Sequence, residues 1–231
     1  HWAQAELYAA LLAQQGDFAQ KSCRIYLVYA SVEAEEYLVI EHVKSPLELA
    51  DLLHEAASKY LSKIVNLIAW QARRDASLKA ARFPYPELRS GQVQAMREVV
   101  AALRDRRTLF IEAPTGIGKT MAVLYPALKG LANSYVKRIF YATAMTSTRD
   151  QAEEALRILR EESACLIRSL RLTAKEKICL EPSLFCEQNL CPYAVKYYDR
   201  LPDALTELLA YEELDADLIQ AVAQKHQVCP F

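Results

Sequence analysis

Residues 108 to 120 read TLFIEAPTGIGKT, and this stretch decides the fold. Its first half, Thr108 to Ala113, is an apolar run of strand length. Its second half, Ala113 to Thr120, is a glycine-containing turn that ends in Lys-Thr where helical periodicity begins. A chain passing from buried strand through such a turn into a helix makes a phosphate cradle. Backbone N–H groups converge at the turn, and the helix N-terminus adds partial positive charge. Gly116 and Gly118 supply the turn, while Ala113, Pro114, Thr115 and Ile117 complete the loop, with Ala113 standing where the general pattern has Gly. Lys119 is placed to reach the β and γ phosphates as a point charge, and the Thr120 hydroxyl to ligate Mg²⁺. ATP and Mg²⁺ are the expected ligands.

Outward from the loop, a helix from Lys119 to about Leu131, a strand RIFYATA (138–144) and a helix from about Ser147 to Glu161 complete a βαβα run, which implies a parallel sheet. Upstream, Val93, Met96, Val100 and Leu103 mark a helix, and RFPYPELRSG (82–91), with two prolines and a glycine, reads as a linker. Before it, residues 2 to about 15 form a helix with Leu7, Ala10 and Leu11 on one face, stopped by Gly16–Asp17. RIYLVYA from Arg24 and EYLVIEHV from Glu36, joined by SVEAE, make a hairpin. Ser45–Pro46 then opens a long amphipathic helix to about Ala80, with Leu49, Leu53, Ala56, Tyr60, Ile64 and Leu67 at spacings of three or four. From Cys165 onward short helical pieces are broken by Pro182, Pro192 and Pro202. Leu201 to Gln224 is acidic and helical, with Leu205, Leu208, Leu209 and Leu218 as candidate buried positions.

With 231 residues, 52% of them hydrophobic, the chain has material for one large or two small packed units. A net charge of -1 gives no sign of a general polyanion-binding surface, so any nucleic-acid site is expected to be local. No apolar run approaches membrane-span length and the N-terminus lacks a signal pattern, which predicts a cytoplasmic protein with no membrane partner. In a reducing cytosol, cysteines clustered late in the chain point to metal rather than disulfides. The pattern is C-x6-C-x4-C-x37-C over Cys179, Cys186, Cys191 and Cys229. Four thiolates hold tetrahedral zinc or a [4Fe-4S] cluster, and spacing alone does not choose. Cys23 and Cys165 read as buried free thiols.

The segment FPYPELRSGQ (Phe83 to Gln92), together with APTGIGKT, resembles the opening of the XPD/DinG family of superfamily 2 DNA helicases. The resemblance implies that Phe83, Arg89 and Gln92 help recognise adenine, whose donor and acceptor edges an amide can match. YATAMTSTRDQ (Tyr141 to Gln151) resembles that family's contact with the backbone of single-stranded DNA, which implies roles for Thr143, Thr146, Ser147, Thr148 and Arg149. Ala144 and Met145 stand where relatives often carry a basic residue, and Ser147 or Thr148 could equally serve as helix caps. LTAKEKICLEP and the terminal CPF resemble the flanks of the family's four-cysteine insertion, which implies a [4Fe-4S] cluster on Cys179, Cys186, Cys191 and Cys229. Arg168, Arg171, Lys175 and Lys177 form either a wall of the DNA channel beside it or a solvated surface. QAELY (Gln4 to Tyr8) resembles the Q-x-x-x-Y signature of RecB-type PD-(D/E)xK nucleases, whose acidic catalytic strand would precede His1.

The expected fold class is α/β. It comprises a partial RecA-like P-loop domain (82–174), a small helical four-cysteine iron-sulfur insertion (175–231), and an N-terminal α+β remnant of helix, hairpin and long helix ending a nuclease-like domain (1–80). The expected function is that of a fragment of an ATP-dependent DNA helicase acting on single-stranded and forked or tailed duplex DNA. The family implies 5′-to-3′ movement in repair or recombination. The Asp-Glu pair that hydrolysis needs is not found after Thr120 at a strand end, since Glu153–Glu154, Glu161–Glu162 and Glu212–Glu213 sit in helical patterns. Binding without appreciable turnover is therefore expected of this chain. The rival reading is a P-loop nucleotide-binding protein with a zinc module and no motor activity.

Overall fold

The computed structural model describes residues 2–15, 21–31, 33, 36–183, 186 and 190–231. Two compact units meet along the chain between Gln71 and Ala72. The first holds α1 (Trp2–Leu12), the antiparallel pair β1 (Cys23–Ala30) and β2 (Tyr37–Lys44), and most of α2 (Pro46–Ala80). The expected helix, hairpin and long helix are all present. The stop expected at Gly16–Asp17 and most of the SVEAE connection lie outside the described residues.

Pro46 enters α2 in the first turn, where a missing N–H leaves no helical bond unmade. Ser45 and Glu48 cap that end reciprocally: the Ser45 N–H donates to Glu48 Oε2 at 2.8 Å, and the Glu48 N–H to Ser45 Oγ at 3.3 Å. Ala10, Ala13 and Leu49 are buried together in this unit. Trp2 stacks on His42 with ring centroids 3.7 Å apart, and Glu6 Oε1 lies 3.3 Å from His42 Nδ1 and 3.5 Å from Lys44 Nζ.

The second unit takes the end of α2 and adds α3 (Gln92–Asp105), α4 (Lys119–Ala132), α5 (Thr146–Ser163), β3 (Ser169–Leu170), α6 (Lys175–Ile178), α7 (Tyr197–Leu208), β4 (Glu213–Leu214) and α8 (Ala216–His226). Its main core joins Leu78 and Ala81 from the end of α2 to Met121, Leu124 and Leu128 of α4, and to Ala152, Ala155 and Leu159 of α5. Helices α3 and α4 approach closely because Gly130 has no side chain: a Cβ there would stand 3.1 Å from Leu103 Cδ1. A smaller cluster buries Ala204, Val222, Ala223 and Val228 between α7 and α8.

Two expectations are corrected. TLFIEA and RIFYATA carry no strand, and Phe110 and Phe140 are 92% and 81% exposed. A parallel strand takes its order from ladder bonds to neighbours on its flanks, and among the described residues neither segment has such a neighbour. The parallel sheet expected from them is therefore not formed. The single helix expected over 201–224 is two helices with β4 between them, because Asp215 starts α8 afresh by accepting the Leu218 N–H at 2.9 Å. Small residues bring α7 and α8 together, so Leu205 and Leu209 stay exposed.

The strands β3 and β4 pair in parallel, Ser169 opposite Glu213 and Leu170 opposite Leu214. Arg160 of α5 braces them. Its Nε donates to Ile167 O at 3.1 Å and its Nη2 to Ser169 Oγ at 2.6 Å and Glu212 O at 3.2 Å.

Candidate functional site

Between the end of strand-length segment 108–113 and α4, the backbone turns through the left-handed region at Gly116 (φ 85°) and Gly118 (φ 79°), and Gly118 caps α4. Side chains rarely adopt these angles, which accounts for glycine at both places. Lys119 sits in the first turn of α4, exposed, with Nζ donating to Ala113 O and Pro114 O at 2.9 Å each. Thr120 follows, half-buried, while Pro114 and Thr115 are exposed and Ala113 and Ile117 half-buried. The loop thus gathers one ammonium, one hydroxyl and the uncapped N–H groups of a helix start.

The linker 82–91 is attached to this loop. The Arg89 guanidinium donates to Gly116 O, and the Arg89 N–H donates to Gln92 Oε1 at 3.1 Å. Gln92 is 3% exposed, so it is not a solvated helix residue. Its Nε2 lies 2.8 Å from where a Cβ on Gly118 would stand. Gly118→Ala is therefore expected to meet two penalties together, about 1–2 kcal/mol for a left-handed non-glycine residue and a collision with the Gln92 amide. Nucleotide titration and thermal melting should both register the loss, and wild-type values for both would exclude the loop geometry described here.

Phe83 is half-buried and meets Tyr125 of α4 edge-on, with ring centroids 5.4 Å apart. Sequence reading missed Tyr125 and Lys129, both of which reach back to the end of α2 and the residue after it. Tyr125 Oη donates to Ala81 O at 3.1 Å, and Lys129 Nζ donates to Ala81 O at 2.6 Å and to Lys79 O at 2.9 Å. Burial pushes the Tyr125 hydroxyl pKa up and the Lys129 ammonium pKa down. The available signal was two polar residues at i and i+4 in the apolar helix KTMAVLYPALKGLA.

The second predicted loop leads into α5. Met145, not Ser147 or Thr148, is its N-cap, and no side chain caps it. Thr143 Oγ1 accepts the Met145 N–H at 3.3 Å, and Thr146 and Ser147 are exposed in the first turn, with Thr148 and Arg149 half-buried. Arg149 Nε has no hydrogen-bond partner among the described residues, the nearest carboxylate being Asp150 at 3.7 Å.

The basic stretch divides. Arg171 is paired with Glu153 of α5, and Arg168 Nη2 donates to Leu209 O at 2.5 Å, so both guanidinium groups are committed inside the fold. Lys177 is exposed. The Lys175 ammonium pKa is raised, first by Cys186 and then by the negative charge that Cys179 and Cys229 carry when ionised. Cys179 is the C-cap of α6, and the Cys229 N–H donates to Tyr193 O at 3.0 Å, two residues from Cys191. All six cysteines are free thiols, Cys165 buried and Cys23 half-buried. Among the described residues, no three His, Cys, Asp or Glu side chains are arranged to hold a metal ion, and no helix is long and apolar enough to cross a membrane. In kind, four thiols are a donor set that tetrahedral zinc or an iron-sulfur cluster takes.

Residues 89–211 match the DEAD/DEAH box helicase family model. The chain is 32% identical over 110 residues to a probable ATP-dependent helicase of Methanocaldococcus jannaschii, covering 47% of this chain and 17% of that protein. It is 37% identical over 83 residues to the 3′-5′ exonuclease DinG of Bacillus subtilis, covering 36% and 9%. It is 23% identical over 202 residues to a regulator of telomere elongation helicase 1 homolog of Drosophila yakuba, covering 64% and 20%. The chain spans no more than a fifth of the length of these relatives. No solved structure matches it.

Proposed function

Because the chain belongs to the DEAD/DEAH box helicases, in their DinG/XPD-type branch, we propose that it supplies the nucleotide grip of an ATP-dependent helicase acting on DNA. The observation that carries this reading is the joint formed by Arg89 and Gln92 with Gly116 and Gly118. That joint sets a base-recognising segment against a phosphate-binding loop. Lys119 and Thr120 hold the phosphates and Mg²⁺, the remaining loop residues from Ala113 to Gly118 present backbone N–H groups, and Phe83, Arg89 and Gln92 face the adenine end.

Single-stranded DNA is the second ligand. The hydroxyls of Thr143, Thr146, Ser147 and Thr148 beside an uncapped helix start, with the half-buried Arg149 in the same turn, suit a phosphate backbone. Lys175 and Lys177 remain as the cations of the basic stretch that the family reading sets beside the cysteine segment. Arg168 and Arg171 act instead by fixing the β3–β4 region, given their internal partners. Forked or tailed duplexes, 5′-to-3′ movement and a place in repair or recombination follow from the family reading.

Cys179, Cys186, Cys191 and Cys229 would hold the [4Fe-4S] cluster, in a domain from 175 to 231 distinct from the motor part at 82–174. When bound, the cluster supplies an inorganic cross-link between distant chain segments. Residues 1 to 80 read as the end of a nuclease-like domain. The Gln4 Nε2 to Tyr8 Oη bond of 3.0 Å, which brings the two signature side chains together on one helix face, supports that reading.

The grip on β and γ phosphates is ground-state binding. Turnover requires groups that act in the transition state, of which an arginine finger alone contributes about 10³- to 10⁵-fold in rate. The chain by itself is expected to bind Mg-ATP and single-stranded DNA while hydrolysing ATP very slowly. Calorimetry and a steady-state ATPase assay with and without single-stranded DNA test this. DNA-stimulated turnover at helicase rates, lost in Lys119→Ala, would overturn it.

A further inference from the structure

The segment from Ala81 to Gln92 is fastened to α4 at both of its ends. At one end Arg89 bonds Gly116 O and the Gln92 amide lies against Gly118. At the other, Ala81 O accepts both the Tyr125 hydroxyl at 3.1 Å and the Lys129 ammonium at 2.6 Å. The Tyr125 ring also stands edge-on to Phe83, and Phe83 edge-on to Tyr85 at 5.7 Å between centroids. One rod therefore carries two functions. Helix α4 begins at Lys119 and, about 9 Å further on at 1.5 Å per residue, presents Tyr125.

We propose that Tyr125 and Lys129 are positioning residues for the base end of the nucleotide. By holding Ala81 and Phe83 against α4, they set the separation between the linker and the P-loop, and so the slot that admits a purine. Neither side chain belongs to loop 113–120. Losing them leaves the phosphate cradle intact and lets the Phe83 ring and the linker drift. The inference rests on the reading of Phe83, Arg89 and Gln92 as the adenine side of the site.

The test is calorimetry on the 231-residue chain with Mg-ATP, Mg-CTP and inorganic tripolyphosphate, for wild type, Tyr125→Phe, Lys129→Met and Lys129→Arg, with melting temperatures alongside. Tyr125→Phe keeps the ring and deletes only the hydroxyl. Loss of one such bond is expected to weaken ATP about three- to tenfold while tripolyphosphate stays within about twofold. Lys129→Met should behave likewise, and Lys129→Arg should recover ATP affinity because a guanidinium still donates to Ala81 O. The preference for ATP over CTP should narrow in the two weakened variants.

Equal losses for ATP and tripolyphosphate would show a general loosening of α4 and overturn the proposal, as would unchanged ATP affinity in both variants. Wild-type chain that binds tripolyphosphate as tightly as ATP would instead overturn the adenine reading beneath it. Wild-type chain that binds neither would overturn the P-loop reading itself.

Discussion

Mg-ATP is expected to leave the chain when Lys119 is replaced by Ala, with the fold retained. The ammonium is the cation of the loop itself, exposed at the first turn of α4 and held to Ala113 O and Pro114 O. Because those partners are backbone carbonyls of the same loop, its removal leaves no buried charge unpaired. What is lost is a point charge on the β and γ phosphates. Truncating one partner of a hydrogen-bonded charge pair costs about 2–5 kcal/mol, roughly one and a half to three and a half orders of magnitude in Kd. Calorimetry with Mg-ATP reads this, and a melting temperature near the wild-type value shows that the core of Met121, Leu124 and Leu128 is intact. Unchanged affinity in a folded variant would remove the nucleotide site.

Cys191→Ser is expected to be the most damaging single change between residues 175 and 231. The fully buried apolar residues described there, Ile178, Ala204, Val222, Ala223 and Val228, are few and mostly small, which is little burial for a segment of this length. Such a region depends on a staple, and metal-binding energy is then folding energy. Anaerobically purified wild type should be brown and carry iron and acid-labile sulfide. The variant should lose both and open this segment to limited proteolysis, while α3, α4 and α5 stay resistant. Stoichiometric zinc without sulfide would refute the cluster and favour the zinc module.

The helices α2 to α5 were legible because each has an apolar stripe. α2 runs from Pro46 to Ala80 as its spacing predicts, and α3, α4 and α5 lie within two residues of expectation. The turn before α4 was legible because two left-handed positions leave glycine little competition. The break between α7 and α8 was also written in the chain, as Asp215 ahead of Ala216, but an acidic run hid the cap among similar residues. Other features had no local signature. Two-residue strands are too short to alternate, so β3 and β4 could not be read. The internal role of Arg171 depends on Glu153, 18 residues away, and charge pattern does not say which carboxylate a guanidinium meets. TLFIEA has the composition of a buried strand, but composition does not supply the neighbour that a ladder requires.

The β3–β4 pair also bears on the order in which the cysteine segment assembles. Cys179 and Cys229 are 50 residues apart along the chain, whereas across the pair the path is 9 residues from Leu170 on one side and 15 from Leu214 on the other. Loop-closure entropy grows with the logarithm of length, so halving the path lowers the closure cost by roughly 0.6 kcal/mol. Joining β3 to β4 is itself a slow, long-range event, since it must close more than 40 residues before any bond rewards it. Once closed, it makes the first and last thiols near neighbours in diffusion time. A metal bound as proposed by these cysteines would then close a loop shortened from 50 residues to about half that length.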